Sequence, residues 1–322
     1  MNQLELLKFN PIFKYRIWGG EQLRTVLHKS YTEPNIGESW ELSGVDGEVS
    51  IVSEGNFKGQ SLKQLIDDYG KELLGQSVMD RFGSEFPILI KFIDAAQDLS
   101  IQVHPNNELA LNRHQSFGKT EMWYVLNAEE NANLIVGFKE EVTKERYQRA
   151  LEEEQLELLL NYHKVKEGDA FFIPTGTIHA IGAGVMIAEI QQTSDITYRV
   201  YDFNRKDKDG KTRELHTELA LDALNYKGVE GFKKEFTKKE NQSNSIVECP
   251  YFNTNFLPID GEFEMDLSQR DSFTILMGVK GNSTIKVGDQ SYQLHYGETL
   301  LIPASLNHLT IEGKASLLEV YL

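Results

Sequence analysis

Cysteine is almost absent from this chain: Cys249 is the only one among 322 residues. Because an intramolecular disulfide needs two cysteines, none can form, which is typical of proteins from a reducing compartment. No apolar run approaches the roughly 18 residues that a membrane-spanning helix needs. The first residues, MNQLELLKFNPIF, also lack the basic start and long apolar segment of a signal peptide. We therefore expect a cytoplasmic protein without a membrane partner.

Basic residues are outnumbered: 33 lysines and arginines face 49 aspartates and glutamates, and the formal net charge is −16. A nucleic-acid or anionic-membrane partner needs a basic face, so we expect neither. An anionic small molecule remains compatible with this composition if lysine and arginine gather locally. The expected assembly is a monomer or a homodimer.

Short apolar runs separated by glycine and proline occupy most of the chain, a pattern typical of strands and turns. Apolar residues at helical spacing predict helices over three segments, at about 61–80, 143–163 and 217–226. Residues 229–245 are polar, basic and poor in large aliphatic side chains, and we interpret them as a connector. We expect a first lobe over residues 1–228, which includes the helices, and a second lobe over residues 246–322.

One sequence pattern occurs twice. GDAFFIPTGTIHAI begins at Gly168, and GETLLIPASLNHLT begins at Gly297. In both, glycine is followed by an acidic residue, apolar positions, a proline and finally a histidine, which is His179 in the first copy and His308 in the second. A match over this length predicts two lobes of the same β-fold. Strand-rich lobes of this kind suggest a pair of small β-barrels or jelly rolls.

Four polar residues of the first lobe could bind a metal ion. Gln102 and His104 alternate with apolar residues in SIQVHP, so a strand would present both on one face. Glu121 opens the apolar run EMWYVL, and His179 follows a proline–glycine turn. Two histidines and a carboxylate suit Zn²⁺, with the amide oxygen of Gln102 as a weaker fourth donor. The alternative is that each histidine is an ordinary core residue, since spacing alone does not prove that the four converge.

The second copy of the pattern lacks such partners. The segment that corresponds to EMWYVL is SFTILM, which begins at Ser272 and contains no carboxylate, and no QVH precedes it. We therefore interpret His308 as structural and predict a second lobe without metal ligands.

Together, the segments QVHP, GKTEMWY, IPTGTIHAIG and EIQQTSDITYRVYDF resemble the type I mannose-6-phosphate isomerases in their short bacterial form. WGG and IGESWELS near the start resemble the same family, so the resemblance covers most of the chain. It implies a mainly β protein of two cupin-type jelly-roll β-barrel lobes with an inserted helical segment. It also implies one Zn²⁺ per chain, bound by His104, Glu121 and His179, with the position of Gln102 a further ligand in longer members.

The resemblance further implies an enzyme that interconverts mannose 6-phosphate and fructose 6-phosphate by moving a proton between C1 and C2 through a cis-enediol. Arg199 matches the family's catalytic arginine, although it could instead pair with Asp202 as a structural residue. Lys119 would share a strand face with Glu121 beside the metal; the alternative is a solvated loop lysine. Glu189 matches an active-site glutamate, and a buried glutamate in an apolar strand needs a partner or a purpose.

The phosphate group of such a substrate requires local cations. Lys91 interrupts the apolar run ILIKFID, so it either faces a cavity or extends to the barrel surface. We expect substrate contacts from Lys91, Arg205, Asp202 and Trp18, although aromatic core packing alone would also explain Trp18. The basic segment NRKDKDGKTR, residues 204–213, is interpreted as a solvated turn rather than an anion site.

Two other functions remain open at this point. A non-catalytic, metal-containing cupin could bind a sugar phosphate without transferring a proton. A metal-dependent cupin oxygenase would usually offer three or four histidines around iron or manganese, and two histidines with a glutamate match that pattern less well.

Overall fold

The structure is a computed structural model that describes residues 3–228 and 230–322. Strands dominate it, which confirms the mainly β prediction. The strands are β1 (Ile12–Gly20), β2 (Ile36–Leu42), β3 (Ile88–Ala95), β4 (Ile101–Val103), β5 (Glu121–Ala128), β6 (Asn133–Phe138), β7 (Leu160–Lys164), β8 (Ala170–Ile173), β9 (His179–Ile181), β10 (Val185–Gln192), β11 (Tyr198–Tyr201), β12 (Lys233–Lys234), β13 (Asn244–Glu248), β14 (Asn253–Asp266), β15 (Thr274–Val287), β16 (Gln290–His295), β17 (Thr299–Ile302) and β18 (His308–Tyr321).

The helices are short. They are α1 (Gln22–Thr25), α2 (Leu62–Tyr69), α3 (Lys71–Leu74), α4 (Gln76–Phe82), α5 (Asn107–His114), α6 (Lys144–Glu152) and α7 (Thr217–Ala223), and a 3-10 helix covers Leu156–Leu159. Within the described residues, none of these helices has the length and apolar character needed to cross a membrane.

Within the described residues, the strands form three antiparallel sheets. The first has the order β1-β2-β3-β10-β5-β8-β12 and the second has the order β11-β4-β9-β6-β7. The third, near the C-terminus, has the order β13-β14-β18-β15-β16, with β17 also paired to β15. One apolar cluster joins side chains of the first sheet, such as Trp18 and Ile93, to side chains of the second, such as Leu134 and Ile181. These two sheets therefore face each other.

Side-chain alternation along β3 separates two environments. Ile88, Ile90 and Phe92 belong to a large apolar core that also includes residues of α2 and of the C-terminal strands. Lys91 and Ile93, offset by one residue, line a cavity between the first two sheets instead. Because side chains alternate along a strand, a single strand provides both a core face and a site face.

The first predicted helical segment forms α2, α3 and α4 rather than one helix. Helix α2 begins with a capping box, in which Ser61 Oγ accepts a hydrogen bond from Gln64 N and Gln64 Oε1 accepts one from Ser61 N. Gly70 (φ 42°) and Gly75 (φ 93°) separate the three helices. A β-carbon at Gly75 would lie 2.5 Å from the backbone oxygen of Asp271, so this break also allows a close approach of the C-terminal region.

The prediction of a helix over residues 143–163 is wrong for its second half. Helix α6 ends at Glu152, and Glu154 adopts a left-handed backbone conformation with φ 55°. The 3-10 helix follows, and β7 begins at Leu160 and pairs with β6. Leu160 is completely buried there, so pairing with a distant strand outweighs the local helical preference of the leucine-rich sequence. The third predicted helix forms as α7 and ends at Ala223.

The repeated sequence pattern adopts the same local structure in both places. Gly168 and Gly297 have left-handed φ values of 86° and 84°. Each precedes a four-residue strand, β8 or β17, and the histidine of each copy begins the next strand, β9 or β18. The two histidines nevertheless differ in environment: His179 is buried, whereas the side chain of His308 is 69% exposed and lies 3.5 Å from Asp266.

The predicted connector contains regular structure. Its first residue, Val229, lies outside the described residues. Strand β12 pairs with β8, and the buried ring of Phe232 packs on Gly137. Asn244 begins β13 of the C-terminal sheet. The lobe boundaries stay predictions.

Candidate metal centre and active site

A cavity of about 520 Å³ opens between the first and second sheets. Buried side chains define its inner end: Lys91, Lys119, Trp123, His179 and Glu189. Exposed side chains such as Tyr15 and Lys208 line its outer end. Lys91 therefore faces the cavity, which is one of the two positions that its place in an apolar run allows.

Short strands bring the predicted metal ligands together. His104 directly follows β4, Glu121 is the first residue of β5, and His179 is the first residue of β9. Gln102 in β4 is the direct cross-strand partner of His179. Pro105 follows His104 and cannot donate a ladder hydrogen bond, which suits the end of a strand. The ligands thus lie at strand ends next to the inner end of the cavity.

His104, Glu121 and His179 form a compact group, in which one ligand atom from each residue lies within 4.8 Å of the others. His104 Nε2 is 3.2 Å from Glu121 Oε1, and His179 Nε2 is 3.6 Å from Oε2. On the other side of each ring, Nδ1 bonds a backbone carbonyl: Ile196 O for His104 at 2.9 Å and Thr177 O for His179 at 2.8 Å. Because a carbonyl only accepts, Nδ1 carries the proton and the Nε2 lone pair is left for the cluster.

Burial keeps both histidines neutral. Burial, and then the charge of Lys119, lower the pKa of His104 to about 3, and burial also lowers the pKa of His179. Burial alone would raise the pKa of Glu121, but Lys119 and His104 hold that pKa well below its usual range. Both Glu121 oxygens are buried without a hydrogen bond of regular geometry, although Lys119 Nζ lies 2.8 Å from Oε1. Neutral imidazoles and an under-satisfied carboxylate fit a divalent cation such as Zn²⁺.

Gln102 lines the cavity beside this group and is half-buried. Its Nε2 atom lies 3.2 Å from His179 Nε2. The nitrogen and oxygen of a side-chain amide are assigned from the hydrogen-bond network. A 180° rotation of the Gln102 amide group would place its oxygen where Nε2 now lies. Gln102 can therefore offer an oxygen to a metal ion, and its role as a ligand stays a prediction.

Lys119 is buried, with an exposed fraction of 5%, and so is not a solvated loop lysine. Its Nζ lies 2.8 Å from Glu121 Oε1 and 3.3 Å from His104 Nε2. Burial alone would lower the pKa of Lys119, but the charges of Glu121 and Glu189 raise it. An ammonium group thus lies directly beside the predicted ligands.

Glu189 belongs to a row of polar residues that crosses the first sheet. In β10 it pairs with Lys91 of β3 on one side and with Trp123 of β5 on the other. Trp123 Nε1 donates a hydrogen bond to Glu189 Oε2 at 3.0 Å, and Lys91 Nζ lies 3.2 Å from Oε1. Burial, and then the charge of Glu121, raise the pKa of Glu189. A cavity-lining carboxyl group with a raised pKa is suited to proton transfer.

Glu38 and Arg16, which are not among the residues predicted from sequence, also line the cavity. Glu38 Oε1 accepts a hydrogen bond from Arg16 Nε at 2.7 Å, and Oε2 accepts one from Trp40 Nε1 at 2.7 Å. Burial alone would raise the pKa of Glu38, but Lys91 and Arg16 hold it at about 2. The sequence does carry a signal, because Arg16 with Trp18 and Glu38 with Trp40 have the two-residue spacing that puts side chains on one strand face.

Arg199 lines the cavity from β11. Its Nη1 donates a hydrogen bond to Glu214 O at 2.8 Å, and burial, then the charge of Arg213, lower its pKa. In the described part of the chain Asp202 forms ion pairs with Arg205 and Arg213 rather than with Arg199. Neither Asp202 nor Arg205 lines the cavity, so their predicted contacts with a substrate have no support from this geometry and stay predictions.

Trp18 forms part of the cavity wall and packs on β2. A β-carbon at Gly37 would lie 2.5 Å from the Trp18 ring, so the ring lies directly on this glycine. The 204–213 turn is largely exposed, as interpreted from the sequence, but Lys208 and Arg213 of this turn line the outer end of the cavity.

Two family models match the chain: phosphomannose isomerase type I, catalytic domain, over residues 6–140, and mannose-6-phosphate isomerase, cupin domain, over residues 242–322. The mannose-6-phosphate isomerase ManA of Bacillus subtilis (strain 168) is 36% identical over 99% of this chain and 99% of its own. The mannose-6-phosphate isomerase of Streptococcus mutans is 37% identical over 92% of each chain.

Solved structures agree with the sequence matches. The crystal structure of the mannose 6-phosphate isomerase from Bacillus subtilis has a TM-score of 0.91 at 32% identity, covering 99% of this chain and 100% of that chain. A putative mannosephosphate isomerase from Archaeoglobus fulgidus has a TM-score of 0.78 at 27% identity, covering 98% and 97%. The similarity thus extends through nearly the whole chain in both sequence and fold. This chain belongs to the type I mannose-6-phosphate isomerase family and ends in the cupin domain of that family.

Proposed function

We propose that this protein is a zinc-dependent aldose–ketose isomerase that interconverts mannose 6-phosphate and fructose 6-phosphate through a cis-enediol. The observation that carries the proposal is the convergence of His104, Glu121 and His179 beside a cavity that also contains Glu189 and Lys119. Relatives that match over nearly the full chain are named mannose-6-phosphate isomerases, which supports the same substrate. A cytoplasmic location and a monomeric or homodimeric state belong to the proposal as sequence predictions.

The two neutral histidines and Glu121 would hold one zinc ion per chain, with Gln102 as the fourth donor. Backbone carbonyls fix the ring orientation of His104 and His179 and leave both Nε2 atoms free to bind. Bound zinc would supply a Lewis acid that polarises the oxygens of the sugar. The protein contributes the geometry and the desolvated surroundings of these donors.

Moving a proton between C1 and C2 requires a group that both accepts and releases it. Glu189 lines the cavity, and its raised pKa brings it closer to neutral pH, where such a group is most effective. Glu38 has the opposite shift and stays a carboxylate, bonded by Arg16 and Trp40. When the pKa values of two neighbouring carboxyl groups are shifted in opposite directions, one can carry a proton while the other stays charged. We assign the first role to Glu189 and the second to Glu38.

The cis-enediol step places negative charge on the sugar oxygens. Lys119 and Arg199 both line the cavity and bring positive charge to it. Their placement on the scaffold before the reaction means that little reorganisation is needed when the charge develops. Arg199 keeps its charge throughout the physiological pH range, since a guanidinium group does not deprotonate there.

A coupled assay with mannose 6-phosphate or fructose 6-phosphate on zinc-loaded protein tests this proposal. His104→Ala should lose both the bound zinc, measured by elemental analysis, and the turnover. His308→Ala is the matched control, because the same sequence pattern places this histidine at the surface of the C-terminal sheet. Absence of turnover of both sugars by the wild-type protein would disprove the proposal. Full activity in zinc-free His104→Ala would disprove the role of zinc.

Solvent exchange separates the isomerase from a non-catalytic cupin that only binds the sugar phosphate. In deuterium oxide, an isomerase that passes through an enediol incorporates deuterium at C2 of the aldose. A binding protein exchanges no carbon-bound hydrogen. Mass spectrometry of the recovered sugar reads out the difference directly.

A further inference from the structure

The outer end of the cavity carries cationic side chains that the proposed chemistry does not use. They are Lys208 and Arg213; Arg199, which the proposed chemistry does use, lines the cavity as well. Asp195 and Asp207 line the same region. The Oδ1 atom of Asp207, however, accepts hydrogen bonds from the backbone N–H groups of Asp209 (2.8 Å) and Lys211 (3.1 Å), so it serves the turn itself.

Several donors of these cations have no partner among the described residues. The buried Nε of Arg199 makes no hydrogen bond. Neither Arg199 nor Lys208 forms an ion pair with a carboxylate in the described part of the chain, although Lys208 Nζ lies 5.6 Å above the ring of Tyr15. Arg213 bonds Asp202 through Nε and Nη2, which leaves Nη1 outside that pair. Cationic hydrogen-bond donors that lack a protein partner at a cavity wall favour the binding of an anionic ligand.

The turn that carries these groups is held in a defined shape. Asp202 accepts hydrogen bonds from Arg205 near the start of the turn and from Arg213 at its end, so one carboxylate joins both sides. At the tip, Asp207 N donates to Lys211 O at 2.8 Å and Gly210 N donates to Asp207 O at 3.0 Å. Lys208 Nζ lies 5.6 Å from the centre of the Tyr15 ring, and both residues line the cavity, so the tip of the turn lies near β1.

The inner end of the same cavity is unsuited to a phosphate dianion. Glu38 and Glu189 line it, and Glu38 is held as a carboxylate. The Glu38 carboxylate would repel a phosphate group in a desolvated environment. Lys91 and Lys119, the lysines of the inner end, are already paired with Glu189 and Glu121. The cavity therefore favours the orientation in which the reacting carbons lie at the inner end and the phosphate lies at the outer end.

We propose that Lys208 and Arg213 bind the 6-phosphate of the substrate, and that Asp202 is a positioning residue that holds the turn in place. The inference rests on the proposed function for the identity of the sugar, but the anion site itself does not. It gives the 204–213 turn a direct role in selecting phosphorylated over free sugars. Arg199 lines the same cavity and keeps the role that the proposed function gives it.

Calorimetric titration of the full-length protein with fructose 6-phosphate, inorganic phosphate and free mannose tests the assignment. Lys208→Ala should weaken binding of the two phosphate compounds about fivefold to tenfold, because one charge-assisted contact at a partly exposed site is lost. Arg213→Gln should weaken binding at least as much. Binding of free mannose should be unchanged in Lys208→Ala.

Lys211→Ala is the matched control, since Lys211 is an exposed lysine of the same turn that does not line the cavity. It should bind all three compounds as the wild-type protein does. Lys208 lies at the exposed tip, so its replacement by alanine should leave the thermal unfolding temperature unchanged. Arg213→Gln removes one of the two cations paired with Asp202. The unfolding temperature of this variant should therefore be measured as well, to show that it is folded.

The outcomes separate this inference from the proposed function. Wild-type affinity for phosphate and fructose 6-phosphate in a folded Lys208→Ala variant would overturn the phosphate site, even if the enzyme isomerises mannose 6-phosphate. Conversely, a wild-type protein that binds phosphate through Lys208 but turns over neither sugar would refute the isomerase and leave the anion site standing. An equal loss of affinity in Lys211→Ala would show a general effect of charge and would also overturn the assignment.

Discussion

Two glutamates a few ångströms from the same lysine have opposite electrostatic environments. Glu189 Oε1 lies 3.2 Å and Glu38 Oε2 lies 3.9 Å from Lys91 Nζ. Glu38 also accepts hydrogen bonds from Arg16 and Trp40, whereas Glu189 Oε1 accepts no hydrogen bond of regular geometry and experiences the charge of Glu121. The pKa of Glu38 is consequently lowered to about 2, while the pKa of Glu189 is raised.

Glu189→Gln should abolish most of the turnover and leave substrate binding largely intact. Glutamine retains an oxygen that can accept a hydrogen bond from Trp123 Nε1, so the wall of the cavity is preserved, but the proposed proton carrier is lost. We expect kcat to fall about 10²-fold to 10⁴-fold with a small change in KM. Steady-state kinetics with the coupled assay measure both constants.

The pH profile provides the second readout of this variant. Because the pKa of Glu189 is raised, the acid-side loss of kcat/KM in the wild-type enzyme should begin above the usual glutamate range. That limb should disappear from the residual activity of Glu189→Gln. A variant with wild-type kcat, or with an unchanged acid limb, would assign proton transfer to another group.

The predicted metal ligands are identifiable from sequence because each one lies in a short run with a distinctive neighbourhood. His104 and Gln102 share one strand face, and His179 follows a recognisable turn. Glu38 and Arg16 are harder to identify because nothing in their own segments indicates a cavity: Lys91, the cavity lysine nearest to Glu38, lies on β3, about 50 residues further along the chain. Spacing indicates which strand face they share but not which cavity that face meets.

At the scale of elements, the pairing of β1 with β2 depends on glycines. A β-carbon at Gly19 would lie 2.5 Å from Gly37 N and 2.6 Å from Asn35 O, which are both backbone atoms. The ring of Trp18 occupies the space above Gly37. The WGG and IGESWELS segments therefore form one closely packed unit that presents Trp18 to the cavity, and Arg16, two residues before it in β1, lines the same cavity.

Gly19→Ala should destabilise the protein by about 2–3 kcal/mol, since a backbone segment must move to admit the methyl group. Gly47→Ala is a useful control: no atom lies within 4 Å of its β-carbon position, and its φ of 79° imposes only a conformational cost of about 1 kcal/mol. Urea unfolding followed by tryptophan fluorescence measures both free energies. Equal stability of the two variants would contradict the proposed close packing.

Asp94 connects β3 to the start of α1. Its Oδ2 accepts a hydrogen bond from Gln22 N at 2.7 Å, and its Oδ1 accepts one from Gln22 Nε2 at 3.2 Å. Burial outweighs these bonds and raises the pKa of Asp94 to about 6 from its usual 3.8. Between these two values the folded protein binds more protons at this site than the unfolded chain, so the contribution of Asp94 to stability is fully present below pH 3.8 and is lost as the pH rises through 6.

Asp94→Asn should remove this pH dependence. The amide cannot ionise, so the variant does not lose this stability as the pH rises. Its free energy of unfolding minus that of the wild type should therefore increase by about 2–3 kcal/mol between about pH 4 and about pH 7. Urea unfolding at several pH values measures the difference, and the other titrating groups cancel in the comparison. Asp68→Asn, at an exposed position of α2, is the control for the loss of one carboxylate at the surface. A relative stability of Asp94→Asn that worsens with pH would contradict the assigned direction.

Element types follow from sequence where local signals and tertiary pairing agree. The capping box at Ser61 and Gln64 marks the true start of α2, and the glycine-flanked repeats mark β8 and β17. The leucine-rich run after Glu154 is different, because its leucines satisfy a helical pattern and a buried strand equally well. Pairing with β6 decides the outcome, and that information lies outside the local sequence.

At the scale of the whole molecule, one apolar core joins the parts of the chain that the sequence divides into lobes. It contains side chains from the N-terminal segment, from β3 and β10, and from β14, β15 and β18. The rings of Phe86 and Phe273 lie 5.0 Å apart in this core, and Leu7 exchanges backbone hydrogen bonds with Leu301. A shared core of this extent favours cooperative unfolding of the chain as a single unit.

The distribution of tryptophan allows a direct test of this cooperativity. The three tryptophans, Trp18, Trp40 and Trp123, all precede the C-terminal sheet, so their fluorescence reports only the first part of the chain, whereas circular dichroism reports all strands. Phe273→Ala removes a completely buried ring from the C-terminal side of the shared core and should cost about 3–5 kcal/mol. If the chain unfolds as one unit, the unfolding temperatures measured by fluorescence and by circular dichroism should fall by the same amount.

Lys314→Ala, at a side chain that is 86% exposed, is the control and should change neither temperature. A different result would contradict unfolding as one unit: fluorescence unchanged from wild type, with an additional dichroism transition at lower temperature. The two sides would then unfold separately, and the candidate metal site would be stable without its C-terminal support.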